Sequence, residues 1–195
     1  MKWPSWIGIL LIAACSRDAE RVDPFDYLTA HVWESTGYVI NGRQYNSLVQ
    51  YRAYVSNDVI SDLNISPGDT MSYGFRYELL FTDDYVLKEI RHLDVSYKCN
   101  SCSAFRLLDS YSFSSEEVYT LNNTFLFVTA ENVVLLDSTS SNTHRYRLIS
   151  NQKMELYDWR VVSSTNPGIY NISINGISVP SWEALPIDFI FEASL

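Results

Sequence analysis

The sequence predicts an all-β domain, an antiparallel barrel or a β-sandwich of about 8–10 strands behind one short helix. The first observation is an aromatic content of 14% within a hydrophobic fraction of 47%, a composition typical of half-buried pleated strands. The second is that apolar and polar residues alternate with a period close to two from Trp33 onward. Turn-forming residues also recur roughly every 8–12 residues, as they do in barrels and sandwiches.

A short helix is predicted just before the strands. Asp23 is a helix-capping residue, and the proline after it suits the first helical position. Phe25, Leu28 and Val32 have the spacing of one helical face. We therefore expect a helix that ends near His31 or Trp33.

The predicted strands follow from runs rich in aromatic and β-branched residues between turn signals. These runs are Trp33 to Ile40, Tyr45 to Val55, Tyr73 to Phe81, Tyr85 to Val95, Ala104 to Phe113, Val118 to Leu121, Thr124 to Thr129, Val133 to Leu136, His144 to Ile149, Lys153 to Val162, Ile169 to Val179 and Ile187 to Ala193. Asn41-Gly42 is the strongest hairpin signal among the turns. Residues 82–84 predict a second hairpin, whose first arm has Tyr77, Leu79 and Phe81 on one face, opposite Arg76 and Glu78.

The charge balance argues against nucleic acid as a partner. The formal net charge is −9, so phosphate backbones and anionic lipid headgroups repel the chain. Acidity otherwise keeps a protein soluble, and it identifies no partner.

Residues 1–14 predict a signal peptide. A single lysine precedes an apolar run that small residues close. As a helix, the run would span roughly 14 Å of a hydrocarbon core about 30 Å thick, too little to cross it. The sequence that ends in Cys15, Ile-Ala-Ala-Cys, resembles the lipobox of bacterial lipoproteins, where a large aliphatic residue lies three before the lipidated cysteine. An ordinary signal peptide with a cysteine near the cleavage site is the alternative.

The resemblance implies cleavage before Cys15, acylation of that residue and attachment to a membrane. Residues 15–22 then form a lipidated tether and residues 23–195 a single all-β domain. Ser16 stands where a signal for retention in the inner membrane would place Asp. By the same resemblance, we expect an outer-membrane lipoprotein of a Gram-negative bacterium, on its periplasmic or cell-surface face.

Once Cys15 is assigned to lipid, Cys99 and Cys102 remain. An exported protein lies in a compartment that permits disulfides, and the even count lets these two pair as a local staple. A redox-active pair would need a following helix, and a zinc site would need four ligands. Neither is indicated by the surrounding sequence, and we expect no metal and no cofactor.

Several features together resemble the lipocalin-like domains of bacterial lipoproteins. Those domains open with a short helical turn and then a tryptophan that closes one end of the barrel, a position that Trp33 matches here. Residues 81–85, Phe-Thr-Asp-Asp-Tyr, are similar to a hairpin motif of that family but are one residue short and lack its glycine. The glycine expected two residues before the tryptophan is replaced by His31. The resemblance implies a barrel that either binds one small apolar ligand or is filled and structural.

The motifs of common hydrolases, metalloproteases and nucleotide-binding proteins do not occur. His31, His92 and His144 have no triad-like or metal-like neighbours in the sequence, so we interpret them as ordinary structural or surface residues. The sequence therefore favours a non-enzymatic protein. A hydrolase built on two carboxylates or on distant residues stays open as an alternative.

The other alternative is a surface β-sandwich that binds a glycan or a protein. Tyr157 and Trp159 are two residues apart on a predicted strand, so strict alternation places both on one face. Trp182 lies in a late loop. An exposed trio would supply a stacking surface, whereas packing beneath a loop or sheet would make these residues structural.

Overall fold

The computed structural model describes the domain in segments that cover most of residues 23–194. The described residues are 23–56, 65–122, 125–128, 138–139, 143–163, 168–180 and 183–194. They form an all-β structure with one short helix and antiparallel strands, as the sequence predicts. Cys15, Trp182 and the predicted strand Val133 to Leu136 lie outside the described residues. Within the described part, no helix has the length and apolar character needed to cross a bilayer.

The helix, α1, spans Pro24–Thr29. Asp23 caps it, since its side chain accepts a hydrogen bond from the Phe25 backbone N–H at 3.0 Å. The helix is shorter than predicted, because Val32 is already the first residue of a strand that pairs on both sides. Leu28 is the buried residue of α1, and its carbonyl accepts a hydrogen bond from the Trp33 indole at 3.0 Å.

The strands are β1 (Val32–Ile40), β2 (Arg43–Tyr45), β3 (Leu48–Tyr54), β4 (Thr70–Phe81), β5 (Val86–Lys98), β6 (Arg106–Leu121), β7 (Phe125–Val128), β8 (Ser138–Thr139), β9 (Thr143–Ser150), β10 (Lys153–Ser163), β11 (Tyr170–Ile174), β12 (Ile177–Val179) and β13 (Ala184–Ser194). Paired neighbours run in the order β12-β11-β3-β4-β5-β6-β7-β9-β10-β13-β1-β2, and β8 pairs with β10. Two strands predicted on either side of residue 115 are one long strand, β6, because β5 pairs with it from Val86 to Tyr97.

An additional pairing joins β1 to β4. Val32, Trp33 and Glu34 of β1 pair with residues 78–80 of β4. Residues 70–75 of β4 pair with β3 instead, and residues 38–40 of β1 pair with β2. Strands β1 and β4 thus contact each other although they are far apart in the linear order of the sheet.

Two Asn-Gly turns set the register of their hairpins. Asn41 and Gly42 have φ values of 51° and 73°, and Asn175 and Gly176 have 48° and 82°. Two successive positive φ values are the requirement of a type I′ turn, which asparagine and glycine meet at low cost. The first turn joins β1 to β2 and the second joins β11 to β12.

The inward faces of the strands form one apolar core. Tyr77, Leu79 and Phe81 of β4 are all buried, which confirms the predicted face of that strand. Trp33 is fully buried in the same core cluster. Aromatic rings contact one another across it, as where Phe189 packs edge-on against Tyr77 with centroids 5.0 Å apart.

A buried carboxylate joins two turns at one end of β4. Asp69 accepts hydrogen bonds from the Ser66 backbone N–H (2.8 Å), the Tyr97 hydroxyl (2.8 Å) and the Asn100 backbone N–H (2.9 Å). Asn100 belongs to the turn that the Cys99–Cys102 disulfide closes, and that disulfide confirms the predicted pairing. The two turns are in close contact, since a Cβ on Gly68 would lie 2.5 Å from Asn100 Cγ.

Burial alone would raise the pKa of Asp69, but the hydrogen bonds from Ser66, Tyr97 and Asn100 outweigh it and hold the pKa below its usual value. The carboxylate therefore stabilises the fold above the pKa of an unfolded aspartate, near 3.9. That stabilisation is lost as the pH falls through the lower pKa of the folded state.

We expect Asp69→Asn to lower the free energy of unfolding by about 2 kcal/mol at neutral pH, because an amide N–H₂ would face N–H or O–H donors. The loss should shrink as the pH is lowered towards 3, and urea denaturation at several pH values measures it. Asp109→Asn, an equal change of charge at an exposed position, should stay within about 0.5 kcal/mol. A loss for Asp69→Asn that does not depend on pH would contradict the assigned role.

Candidate functional site

The inner face of β4, β5 and β6 carries charged side chains among apolar ones. Register places Tyr77, Arg91 and Phe113 side by side across the three strands. Two residues further along β5 and β6, Glu89 pairs with Ser115. All five positions share the face that holds the apolar core, so Glu89 and Arg91 point inward rather than to solvent.

A second arginine reaches this carboxylate from a strand that is not a neighbour. Arg160 lies on β10, which β6, β7 and β9 separate from β5 in the sheet. Its Nη2 donates a hydrogen bond to Glu89 Oε1, and the two side chains are only 3% and 5% exposed. Arg91 Nε lies 3.3 Å from the same oxygen. One carboxylate thus serves two guanidinium groups, which leaves an excess of one positive charge. We call Arg160, Glu89 and Arg91 the inner charge cluster.

Arg160 keeps its charge despite burial. Burial would lower the pKa of Arg160, but the adjacent Glu89 carboxylate and Tyr77 raise it overall. Burial raises the pKa of the Tyr77 hydroxyl well above its ordinary value, so that it stays protonated. The Arg160 guanidinium also lies 5.3 Å from the ring centroid of Tyr77 and 4.9 Å from that of Trp159, a contact that stabilises a desolvated cation.

Several buried polar atoms beside the cluster can form hydrogen bonds that the described residues do not supply. Among the described residues, no partner of suitable geometry reaches Tyr77 Oη, Trp159 Nε1, Ser115 Oγ or Arg160 Nε, although all four atoms are buried. The indole and guanidinium nitrogens can only donate, and both hydroxyls can donate as well. The surroundings of the cluster therefore favour a group that accepts hydrogen bonds and carries negative charge.

Next to Arg91, the apolar inner face is open to solvent. Tyr111 and Phe113 project from β6 to the same side as the core, yet they are 45% and 38% exposed. Their rings stack with centroids 6.1 Å apart. On β4, which lies on the other side of β5, Phe75 and Tyr77 are buried. We call Tyr111 and Phe113 the inner-face patch, and it borders the inner charge cluster through Arg91.

Trp33, predicted to close one end of a barrel, is completely buried between β13 and β4. Its indole N–H donates to the Leu28 carbonyl and so attaches α1 to β1. Trp33 is therefore a core residue near the beginning of β1.

The predicted alternation of Tyr157 and Trp159 is wrong. Asp158 between them has a φ of 53°, and the pairing of β10 with β13 shifts there. Three residues of β10, Tyr157 to Trp159, lie opposite the single residue Asp188 of β13, so this β-bulge contains two extra residues and turns Trp159 to the inner face. Trp159 is consequently 1% exposed and cannot stack on a ligand from solvent. Tyr157 is half-buried, and its hydroxyl donates to Glu155 at 2.7 Å.

Sequence reasoning did not single out Glu89, Arg91 or Arg160. A signal for two of them exists, because Glu89 and Arg91 occupy the positions of β5 that alternate in step with the buried Leu87 and Leu93. A charged residue on the apolar face of a strand indicates a buried pair or a site. Arg160 gives the same signal, because it alternates in step with the buried Met154, Leu156 and Val162 of β10.

No set of three or more His, Cys, Asp or Glu side chains in the described ranges is placed to hold a metal ion. The chain matches no protein-family model, and neither the curated proteins nor the solved structures gave a significant match.

Proposed function

We propose that the chain is a lipid-anchored bacterial lipoprotein whose lipocalin-like barrel binds a small apolar molecule carrying one acidic group. The domain binds this ligand without transforming it. We place the anchor at Cys15 and the protein at the outer membrane of a Gram-negative cell. The observation that supports this ligand class is that the inner-face patch lies beside the inner charge cluster.

The barrel is supported by the pairing of β1 with β4. A path from β4 through β5, β6, β7, β9, β10, β13 and β1 uses paired strands at every step, and the additional pairing leads back to β4. The two separate sheets of a sandwich would not require the pairing of β1 with β4. The position of Trp33 after a short helix is also what the lipocalin resemblance implies.

An acidic ligand is supported by charge and by hydrogen-bonding capacity. Arg160 and Arg91 share Glu89, so one positive charge is uncompensated within the inner charge cluster. A ligand carboxylate at Arg91 would neutralise that charge, and its apolar part would cover Tyr111 and Phe113. Because the whole chain carries a net charge of −9, the attraction must be local to this patch.

The anchor is supported by the sequence around Cys15. Each buried methylene contributes about 0.8 kcal/mol to membrane binding, and two or more acyl chains hold a protein stably. Glycan binding on an aromatic platform has no support of this kind, since Trp159 is buried. We therefore retain ligand binding as the one proposed function.

Arg91→Gln in the domain of residues 23–195 should weaken binding of dodecanoic acid about tenfold. Binding is measured by displacement of an apolar fluorescent dye, with dodecanoic acid methyl ester as the uncharged comparison. The parent should prefer the acid, and the variant should bind acid and ester alike. Lys88→Gln removes the same charge from the exposed face of β5 and should keep the preference. Equal binding of acid and ester by the parent would count against the proposed ligand class.

When the full chain is expressed in a Gram-negative host fed an alkyne-labelled palmitate, Cys15 should carry the label. Cys15→Ser should abolish labelling, whereas Cys99→Ser/Cys102→Ser should keep it, because the disulfide plays no part in acylation. Intact mass and peptide mass spectrometry read the result. A mature product that begins at Met1 with a free thiol at Cys15 would refute the anchor.

A further inference from the structure

The outer face of β4, β5 and β6 carries a hydrogen-bonded row of three side chains, Glu78, His92 and Ser112. His92 Nε2 lies 2.7 Å from Glu78 Oε1, and His92 Nδ1 lies 2.9 Å from Ser112 Oγ. His92 and Ser112 are directly opposite each other in the pairing of β5 with β6. The sheet itself therefore holds the row in place.

The partners fix the direction of each hydrogen bond. A carboxylate can only accept, so the ring proton of neutral His92 is held on Nε2, facing Glu78. Nδ1 then has a free lone pair, and it accepts the hydroxyl proton of Ser112. A hydroxyl bonded to a base that a third group orients is the arrangement that activates serine as a nucleophile.

The row opens into a cleft large enough for a small substrate. The cleft has a volume of about 500 Å³ and is lined by His92, Ser112 and Arg76 together with the apolar Leu48 and Phe75. Volumes of this order are typical of sites for small molecules. Arg76 is a positive group of the lining, and its Nη2 also lies 3.7 Å from Glu78 Oε1.

We propose that Ser112 is the nucleophile of a second site, on the outer face, that hydrolyses small carboxylic esters. This proposal does not rest on ligand binding at the inner face or on the anchor, although Tyr111 of the inner-face patch also lines the cleft. Ser112 Oγ attacks the ester carbonyl carbon while His92 Nδ1 takes its proton. The bond between the carbonyl carbon and the alcohol oxygen breaks, and the proton passes from His92 to the departing oxygen, which releases the alcohol.

Water completes the cycle by attacking the acyl group on Ser112. One proton of the water passes to His92 and then to Ser112 Oγ as the acyl–oxygen bond breaks, and the carboxylic acid leaves. Ester and water are thus converted into alcohol and acid, with no other reactant. Glu78 acts as a positioning residue that holds the imidazole in the required tautomer, and Arg76 faces the negative charge that develops on the carbonyl oxygen.

The first test labels the unaltered full chain with a fluorophosphonate, which bonds covalently to activated serines and releases fluoride. Peptide mass spectrometry should find the label on Ser112 and not on Ser114, an exposed serine on the same face of β6. Labelling of Ser112 at no more than the level of Ser114 would overturn the proposal.

The second test measures hydrolysis of p-nitrophenyl acetate. Ser112→Ala should lower the rate at least about 100-fold, and Glu78→Gln should lower it about tenfold or more because the tautomer is no longer fixed. Ser114→Ala should leave the rate unchanged. Circular dichroism should match the parent for every variant. A Ser112→Ala protein that is folded and keeps the parent rate would refute the assignment.

Discussion

The contact between Arg160 and Glu89 is the interaction on which the rest of the interior depends. It joins β10 to β5, two strands that are not neighbours in the sheet, and both side chains are removed from water. An isolated buried charge costs several kcal/mol, so neither residue can lie there without the other. The pair also fixes Arg91 beside the same carboxylate. The position of the inner charge cluster relative to the open Tyr111 and Phe113 follows from this constraint.

Local rules predicted much of the fold. The Asn-Gly turns, the hairpin at residues 82–84, the apolar face of β4 and the disulfide all depend on a few adjacent residues, and the sequence contains the whole signal. The errors are also local in origin. The spacing of Val32 suits the face of a helix, but the pairing of β1 with both β13 and β4 overrides that preference. The bulge at Asp158 places Trp159 on the face opposite to Tyr157, whereas strict alternation predicts one face for both.

The candidate sites were much less predictable, because their members meet only after the strands pair. Glu89 and Arg160 are 71 residues apart in sequence, and neither belongs to a recognisable motif. Glu78, His92 and Ser112 come from three successive strands, and their approach depends on the register of two ladders. A one-residue slip of either ladder would move a member of the row to the other face. The sequence alone could therefore indicate an ordinary histidine on a strand, and no more.

The most direct test of this account is a comparison of Glu89→Leu with Glu89→Leu/Arg160→Met in the domain of residues 23–195. Urea denaturation should show that Glu89→Leu lowers the free energy of unfolding by about 3–5 kcal/mol, because it leaves Arg160 buried without its carboxylate. The double variant should be more stable than Glu89→Leu, since its second change removes the unpaired charge. If the second change instead lowers stability further, Arg160 and Glu89 do not depend on each other, and the account of the interior is wrong.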